Sequence, residues 1–336
     1  MVETTPLADR YGRVASDLRI SLTDKCNLRC SYCMPAEGLD WLPSERMLTD
    51  DEVVRLATVA VQRLGIREIR FTGGEPLVRR GLVDIVERTR ALDPELELSV
   101  TTNGLGLARL ARPLAKAGLD RVNVSLDSIR PETFATITRR DRLHDVLEGL
   151  AAAAEAGLGP VKINAVLLRD VNDDQAAELL EWAMAHDYQL RFIEQMPLDA
   201  QHGWSREAMV TADETFERLA KEFTLTPATE PRGSAPAELF YVDRGDGVIG
   251  TVGVIASVTR PFCGDCDRVR LTADGQVRNC LFAREESDLR AALRAGASDE
   301  ELARRWVTAM AGKRAGHGID DPTFLQPDRP MSAIGG

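Results

Sequence analysis

The chain has 336 residues, with 42 Lys and Arg against 53 Asp and Glu, a formal net charge of −11 and a hydrophobic fraction of 44%. That length and apolar content build one large domain, or a large domain with a smaller one attached, and exclude general disorder. Aromatics at 5% and the negative charge exclude a nucleic-acid backbone binder or a base-stacking platform, while a compact anion held by a local arginine cluster stays open.

Residues 1–19 alternate charged and polar side chains and lack the apolar core of a signal peptide, and no run anywhere is long enough to span a bilayer. The expected location is the cytoplasm, with no membrane partner. From residue 18 to 195 the sequence repeats a short β-branched run, a loop and a helical stretch. Strands are expected at 18–22, 68–71, 97–101, 121–126, 161–167 and 190–194. The first intervening helix opens with a capping box, Thr49 with Glu52, and closes at Gly65. Six strand-helix units predict a parallel sheet, either doubly wound or part of a barrel, with its ligand site at the C-terminal strand ends. The cysteine loop, Gly73-Gly74-Glu75-Pro76, Thr102-Asn103-Gly104, Asp127-Ser128 and Met196-Pro197 would then share one side.

After Pro197 the pattern changes. A helix is expected at 211–223, a Pro- and Ser-rich linker at 224–237, a hairpin at 239–253 turning at Gly245-Asp246-Gly247, and a helix capped by Ser298 with Glu301. Gly245-x-Gly247-x-x-Gly250 fits the dinucleotide fingerprint by letters but has no helix after it. The organisation expected is 1–197 as one domain, 198–320 as a C-terminal region and 321–336 as a flexible tail ending in Gly335-Gly336.

Six cysteines are too few for a disulfide scaffold in a chain of this size, and they fall into two groups of three. Cys26-x3-Cys30-x2-Cys33 sets three thiolates on one tight loop. A structural zinc wants four ligands, and so ordinarily does a 4Fe-4S cluster, so three cysteines leave one iron open. Cys263-x2-Cys266-x13-Cys280 repeats that logic, with zinc as its alternative. Arg268 and Arg270 alternate behind the second group, so on a strand both guanidinium groups face one way, a geometry that suits phosphate oxygens. Arg19, Arg70 and Lys162 fall on first-domain strands, where a basic side chain is costly without an anionic partner.

The first cysteine loop with its Tyr32-Cys33 ending, together with Gly73-Gly74-Glu75-Pro76, resembles the radical S-adenosylmethionine superfamily. Both cysteine groups, Arg268-x-Arg270, the strand-end segments and the terminal Gly335-Gly336 resemble its GTP 3′,8-cyclase family, from molybdenum cofactor biosynthesis. The resemblance implies an incomplete (βα)6 TIM-type barrel and a C-terminal region with a second iron-sulfur cluster. It implies a lyase with two 4Fe-4S clusters, on Cys26, Cys30 and Cys33 and on Cys263, Cys266 and Cys280. S-adenosylmethionine would be contacted by Tyr32, Gly74, Ser125 and Met196, and GTP by Arg19, Arg70, Thr101, Lys162, Arg268, Val269 and Arg270. Cleavage of S-adenosylmethionine at the first cluster would yield a radical that takes a hydrogen from the ribose 3′ carbon of GTP, which then closes onto carbon 8 of guanine. Arg268, Arg270, Gly335 and Gly336 would belong to the catalytic machinery, and Gln195 departs from the pattern beside a cofactor contact. The same resemblance implies a homodimer, an electron donor such as flavodoxin or ferredoxin, and a downstream cyclic pyranopterin monophosphate synthase. Two other readings remain: a radical enzyme that modifies a peptide, whose auxiliary region usually carries more cysteines, and an iron-sulfur or zinc scaffold without turnover.

Overall fold

A computed structural model describes residues 4–245 and 247–335. Six parallel strands form at the expected positions: β1 (Asp17–Ser21), β2 (Glu68–Thr72), β3 (Glu97–Thr102), β4 (Arg121–Ser125), β5 (Lys162–Val166) and β6 (Gln189–Ile193). They pair in chain order, each with the next. Their crossovers carry α1 (Asp50–Leu64), α2 (Leu82–Arg90), α3 (Leu107–Lys116), α4 (Pro131–Thr138), α5 (Leu143–Glu155) and α6 (Ala176–Ala185). The capping box on α1 is made in both directions, and Gly65 ends the helix at φ 76°, in the left-handed region. Such a cap contributes about 1 kcal/mol.

Strand alternation decides what each face of the sheet becomes. Leu18, Ile20, Ile69, Phe71, Leu98, Val100, Val122 and Val124 turn to one face and join the main core with the helices. The residues between them are polar: Asp17 and Arg19, Glu68 and Arg70, Ser99 and Thr101, Lys162 and Asn164. The opposite face is therefore charged, and it forms the wall of a cavity.

The C-terminal strands extend this same sheet at both ends. They are β7 (Thr224–Pro227), β8 (Glu238–Asp243), β9 (Val248–Ile255), β10 (Arg268–Leu271), β11 (Gln276–Arg278) and β12 (Ser287–Asp288), and the full order is β12-β11-β10-β1-β2-β3-β4-β5-β6-β9-β8-β7. Strand β9 lies parallel to β6 and β10 parallel to β1, so the second cysteine group closes on the first strand. With them come α7 (Ala212–Leu219), shorter than the helix expected at 211–223, and α8 (Leu289–Arg294) and α9 (Asp299–Ala311); Thr211 caps α7 and Ser298 caps α9 as expected for that helix.

Two expectations need correction. Residues 224–227, read as linker, pair with β8 as an edge strand, because the Thr-Leu-Thr stretch extends readily once a partner edge is present. The flexible tail does not hold for residues 329–335. Arg329 grips Asp274 at 2.8 and 2.9 Å, α10 (Met331–Ile334) follows, and Ser332 and Ile334 are buried. Its proline and glycine content suggested fraying, but these long-range contacts hold it.

Candidate active site

The first cysteine loop is locked to the glycine motif by close backbone approach. Gly74 N–H donates to Thr23 O at 2.7 Å and Glu75 N–H to Lys25 O at 2.8 Å. A Cβ on Gly73 would stand 2.4 Å from Thr23 O, and one on Gly74 2.3 Å from Asp24 O, so no side chain fits at either position. The Glu75 carboxylate then accepts from Leu77 N at 2.9 Å, Thr102 Oγ1 at 2.7 Å and Asn103 N at 2.7 Å, tying the ends of β2 and β3 together. Burial pushes Glu75 up to about 7, against the pull of those three donors. Asn103 Nδ2 reaches Cys26 Sγ at 3.7 Å and Asn27 Oδ1 at 2.7 Å.

Tyr32 donates its hydroxyl to Asp127 Oδ2 at 2.9 Å, and Asp127 Oδ1 accepts from Val166 N at 2.9 Å, so the aromatic is fixed beside the end of β4, where Ser125 lies. Burial pushes the Asp127 carboxyl up to about 6. All six cysteines are free thiols and half-buried. Burial pushes Cys33 up to about 12, with Cys26 adding repulsion, and Cys30 is raised by burial, by Asp127 and by the other two thiols.

The second group opens on a cavity. Cys263, Cys266 and Cys280 line it together with Arg19, Arg70, Thr101, Met196, Arg268 and Arg270. Lys162 lines the adjoining hollow, which shares Arg70, Arg191 and Arg268 with the cavity. Burial and the neighbouring Arg191, Arg121 and Arg70 depress Lys162 to about 8. Val269 is fully buried in the main core, so only its backbone is available to a ligand. Gly74 and Ser125 line neither hollow; both sit at strand ends near the first loop.

Two carboxylates meet these arginines: Glu68 bonds Arg70 at 2.5 Å, and Asp17 stands between two others. Asp17 lies 3.4 Å from Arg19 Nη2 and 3.4 Å from Arg268 Nε. Burial would raise Asp17, but Arg19, Arg70, Arg268 and Arg270 outweigh it and hold the carboxyl at about 2. The cluster stays rich in unused donors and acceptors: Arg19 Nε, Arg191 Nε, Arg268 Nε and Asn164 Oδ1 are buried without a hydrogen-bond partner among the described residues. Buried polar atoms left open this way cost free energy unless a polar ligand meets them.

The second triad has basic support that the sequence did not reveal. Lys313, buried, donates to Cys266 Sγ at 3.4 Å, Cys266 O at 3.0 Å and Arg268 O at 2.9 Å. Burial alone would raise the Cys266 thiol, yet Lys313 and Arg268 bring it below its ordinary value. Arg13 donates to Cys263 O at 2.5 Å and Ala315 O at 2.9 Å from a short ribbon pairing Leu7–Ala8 with Val14–Ala15. His317 also lines this cavity, so a histidine does stand near the second triad. Its Nδ1 accepts from Ile319 N at 3.1 Å and its Nε2 faces Ser257 O at 3.1 Å, an arrangement that assigns the proton to Nε2 and leaves neither nitrogen for a metal. Among the described residues no three His, Cys, Asp or Glu side chains are gathered as a single-ion site. The donor chemistry that fits the two groups is three thiolates each.

The tail lies between the two groups. The Ser332 backbone N–H faces the Cys33 thiol, Met331 lines the cavity, and Arg270 donates to Gly335 O. Gly335 has φ 89°, and a Cβ there would stand 2.7 Å from Thr72 Cγ2. Gly336 lies outside the described residues. Asp17 was detectable by stepping back two residues from Arg19 along the strand period, and Arg191 by the same rule on β6. Lys313 and Arg13 carried no local signal.

Known proteins match this arrangement along the whole chain. The Radical SAM superfamily pattern covers residues 20–183, and the Molybdenum Cofactor Synthesis C pattern covers residues 188–319. A GTP 3′,8-cyclase of Streptomyces coelicolor is 68% identical over 331 residues, spanning 98% of this chain and 96% of its own. That of Mycolicibacterium smegmatis is 61% identical, spanning 98% of this chain and 92% of its own. Among solved structures, Streptococcus suis SuiB bound to precursor peptide SuiA superposes with a TM-score of 0.57 at 14% identity, over 91% of this chain and 67% of that one. SuiB bound to S-adenosylmethionine gives 0.53 at 14% identity, over 82% of this chain, which spans 64% of the SuiB length. At that identity the likeness concerns the α/β fold alone. The relatives share close to two thirds of their residues with this chain over nearly its full length, and the chain belongs to the GTP 3′,8-cyclase family.

Proposed function

We infer that this chain is a radical S-adenosylmethionine lyase that converts GTP to (8S)-3′,8-cyclo-7,8-dihydroguanosine 5′-triphosphate, the first step of molybdenum cofactor biosynthesis. The observation that carries this reading is the cavity in which an open cysteine triad and an arginine cluster with unsatisfied buried donors share one wall. Cys26, Cys30 and Cys33 would hold one 4Fe-4S cluster, with Tyr32, Gly74, Ser125 and Met196 around S-adenosylmethionine. Cys263, Cys266 and Cys280 would hold a second 4Fe-4S cluster. When bound, the first cluster and S-adenosylmethionine supply a carbon radical to the ribose of the substrate.

The chain's own residues supply binding and enclosure. Arg19, Arg70, Lys162, Arg268 and Arg270, joined by Arg191 and Thr101, would take the nucleotide, the guanidinium groups donating in pairs to phosphate oxygens. Asp17 would hold the arginines in place when no nucleotide is bound. Phe262, Pro261 and Phe282 line the cavity and would limit water at the reacting carbon. Gly335 would keep the tail against the glycine motif, with Gly336 beyond it.

Strands β1 to β6 in sequential parallel order support reading residues 1–197 as an incomplete (βα)6 TIM-type barrel, with 198–320 as the cluster- and substrate-binding region. No helix among the described residues is long and apolar enough to cross a membrane. Six free thiols suit a cytoplasmic enzyme. A homodimer, a flavodoxin or ferredoxin donor and a downstream cyclic pyranopterin monophosphate synthase complete the proposal. Anaerobic turnover with reductant, S-adenosylmethionine and each nucleoside triphosphate tests it. GTP should drive formation of 5′-deoxyadenosine and the cyclised nucleotide, and equal 5′-deoxyadenosine without GTP would overturn the substrate.

A further inference from the structure

A second hollow opens beside the first cysteine loop, at Asn27. Five arginines line it, Arg79, Arg80, Arg109, Arg140 and Arg142, and its floor includes Asn27; no Asp or Glu contributes to it. In a chain of net charge −11 this is a local reversal of sign. Arg79 is spent inside the fold, on Asp50 and the carbonyls of Leu22 and Leu48, and Arg142 pairs with Asp145. Arg80, Arg109 and Arg140 are exposed and form no ion pair among the described residues. Elsewhere on the surface Arg130 pairs with Glu178 and Asp174, and Arg304 with Glu301. Three exposed guanidinium groups without an ion pair thus line one hollow, a concentration of positive charge that attracts an acidic surface. Val78, exposed, and neighbouring leucines give the hollow an apolar part as well.

Position supplies the purpose. Asn27 follows Cys26 in the chain, and its Oδ1 takes the Asn103 Nδ2 that also reaches Cys26 Sγ. A body seated in the hollow stands one residue along the chain from the first triad, against Asn27, which does not line the substrate cavity. We propose that this arginine-lined hollow is the docking face for an acidic one-electron carrier protein that reduces the centre on Cys26, Cys30 and Cys33. This rests on the radical reading above. One electron leaves the carrier, which is oxidised, and enters that centre, which is reduced. Opposite charge steers the encounter and sets its rate, and the apolar part gives the contact a short dry interior.

The test uses the anaerobically prepared, cluster-loaded enzyme and a variant carrying Arg80→Glu, Arg109→Glu and Arg140→Glu, none of which touches the cavity. Formation of 5′-deoxyadenosine is followed with reduced flavodoxin and, separately, with dithionite. The flavodoxin KM should rise on the order of tenfold or more in the variant, with the dithionite rate unchanged. In the unmodified enzyme the flavodoxin rate should fall as salt is raised, since a Debye length of about 8 Å at 0.15 M screens such steering, and the variant should lose that dependence. An unchanged flavodoxin KM, or an equal fall with both reductants, overturns the docking face. Saturable pyrophosphate binding that the variant loses, with flavodoxin kinetics intact, would mark a small-anion site instead and also overturn it. No 5′-deoxyadenosine from the unmodified enzyme with either reductant would sink the radical reading, a separate failure.

Discussion

The two cysteine groups have the same ligand count and opposite surroundings. Around the first, Glu75 and Asp127 are buried carboxylates; burial raises all three thiols, helped by Glu75 at Cys26 and by the neighbouring thiols at Cys30 and Cys33. Around the second, Lys313 bonds the Cys266 sulfur, Arg268 and Arg270 stand in the same cavity, and the Cys266 thiol is lowered. Hydrogen bonds to cluster sulfurs and local charge set the reduction potential of an iron-sulfur centre, so equal ligand sets in unequal fields make unequal centres. The first environment is closed in by backbone and buried carboxylates. The second is open, cationic and shared with an anion pocket.

Removing single ligands gives the largest separation. Cys26→Ala should abolish 5′-deoxyadenosine formation, while Cys280→Ala should keep cleavage of S-adenosylmethionine and lose the cyclised nucleotide. Each should lower the iron content from about eight to about four per chain. Chromatography of both products with iron analysis checks this, and identical product losses would erase the division of labour.

Asp17→Asn comes next, because it removes the buried carboxylate shared by Arg19 and Arg268. Breaking a buried charge cluster of this kind costs about 3–5 kcal/mol, and GTP should restore part of it, so the thermal shift on adding GTP should exceed that of the parent. The pH sign follows from the depressed carboxyl: with a folded value of about 2 against an ordinary 3.8, its stabilisation is present above 3.8 and lost as pH falls through about 2. Denaturation midpoints across pH 2 to 5 should therefore lose that slope in the variant.

The smallest effect is Lys313→Met. Losing the ammonium–sulfur bond should move the second centre to a more negative potential and leave the first unchanged, as read by a redox titration followed by electron paramagnetic resonance. A shift in both centres, or in neither, would deny Lys313 its selective role.

Much of the site was legible in residue order. The three-cysteine spacings, Gly73-Gly74 and the alternation of Arg19, Arg70, Arg268 and Arg270 are local patterns, and local periods survive folding because strand and loop geometry is set within a few residues. The six strands of the first domain were readable for that reason. The contacts that tune the site were not. Lys313 meets Cys266 across 47 positions and Arg13 meets Cys263 across 250. Arg329 meets Asp274 across 55, converting a proline-rich end into a packed one. The ligand groups, the strands and the polar face of the sheet are written in residue order. That β10 lies beside β1, that the tail packs against Cys33 and the cavity, and that an arginine hollow covers Asn27 depend on tertiary packing. Charge and burial act through space, and no local period records which distant residue will share that space.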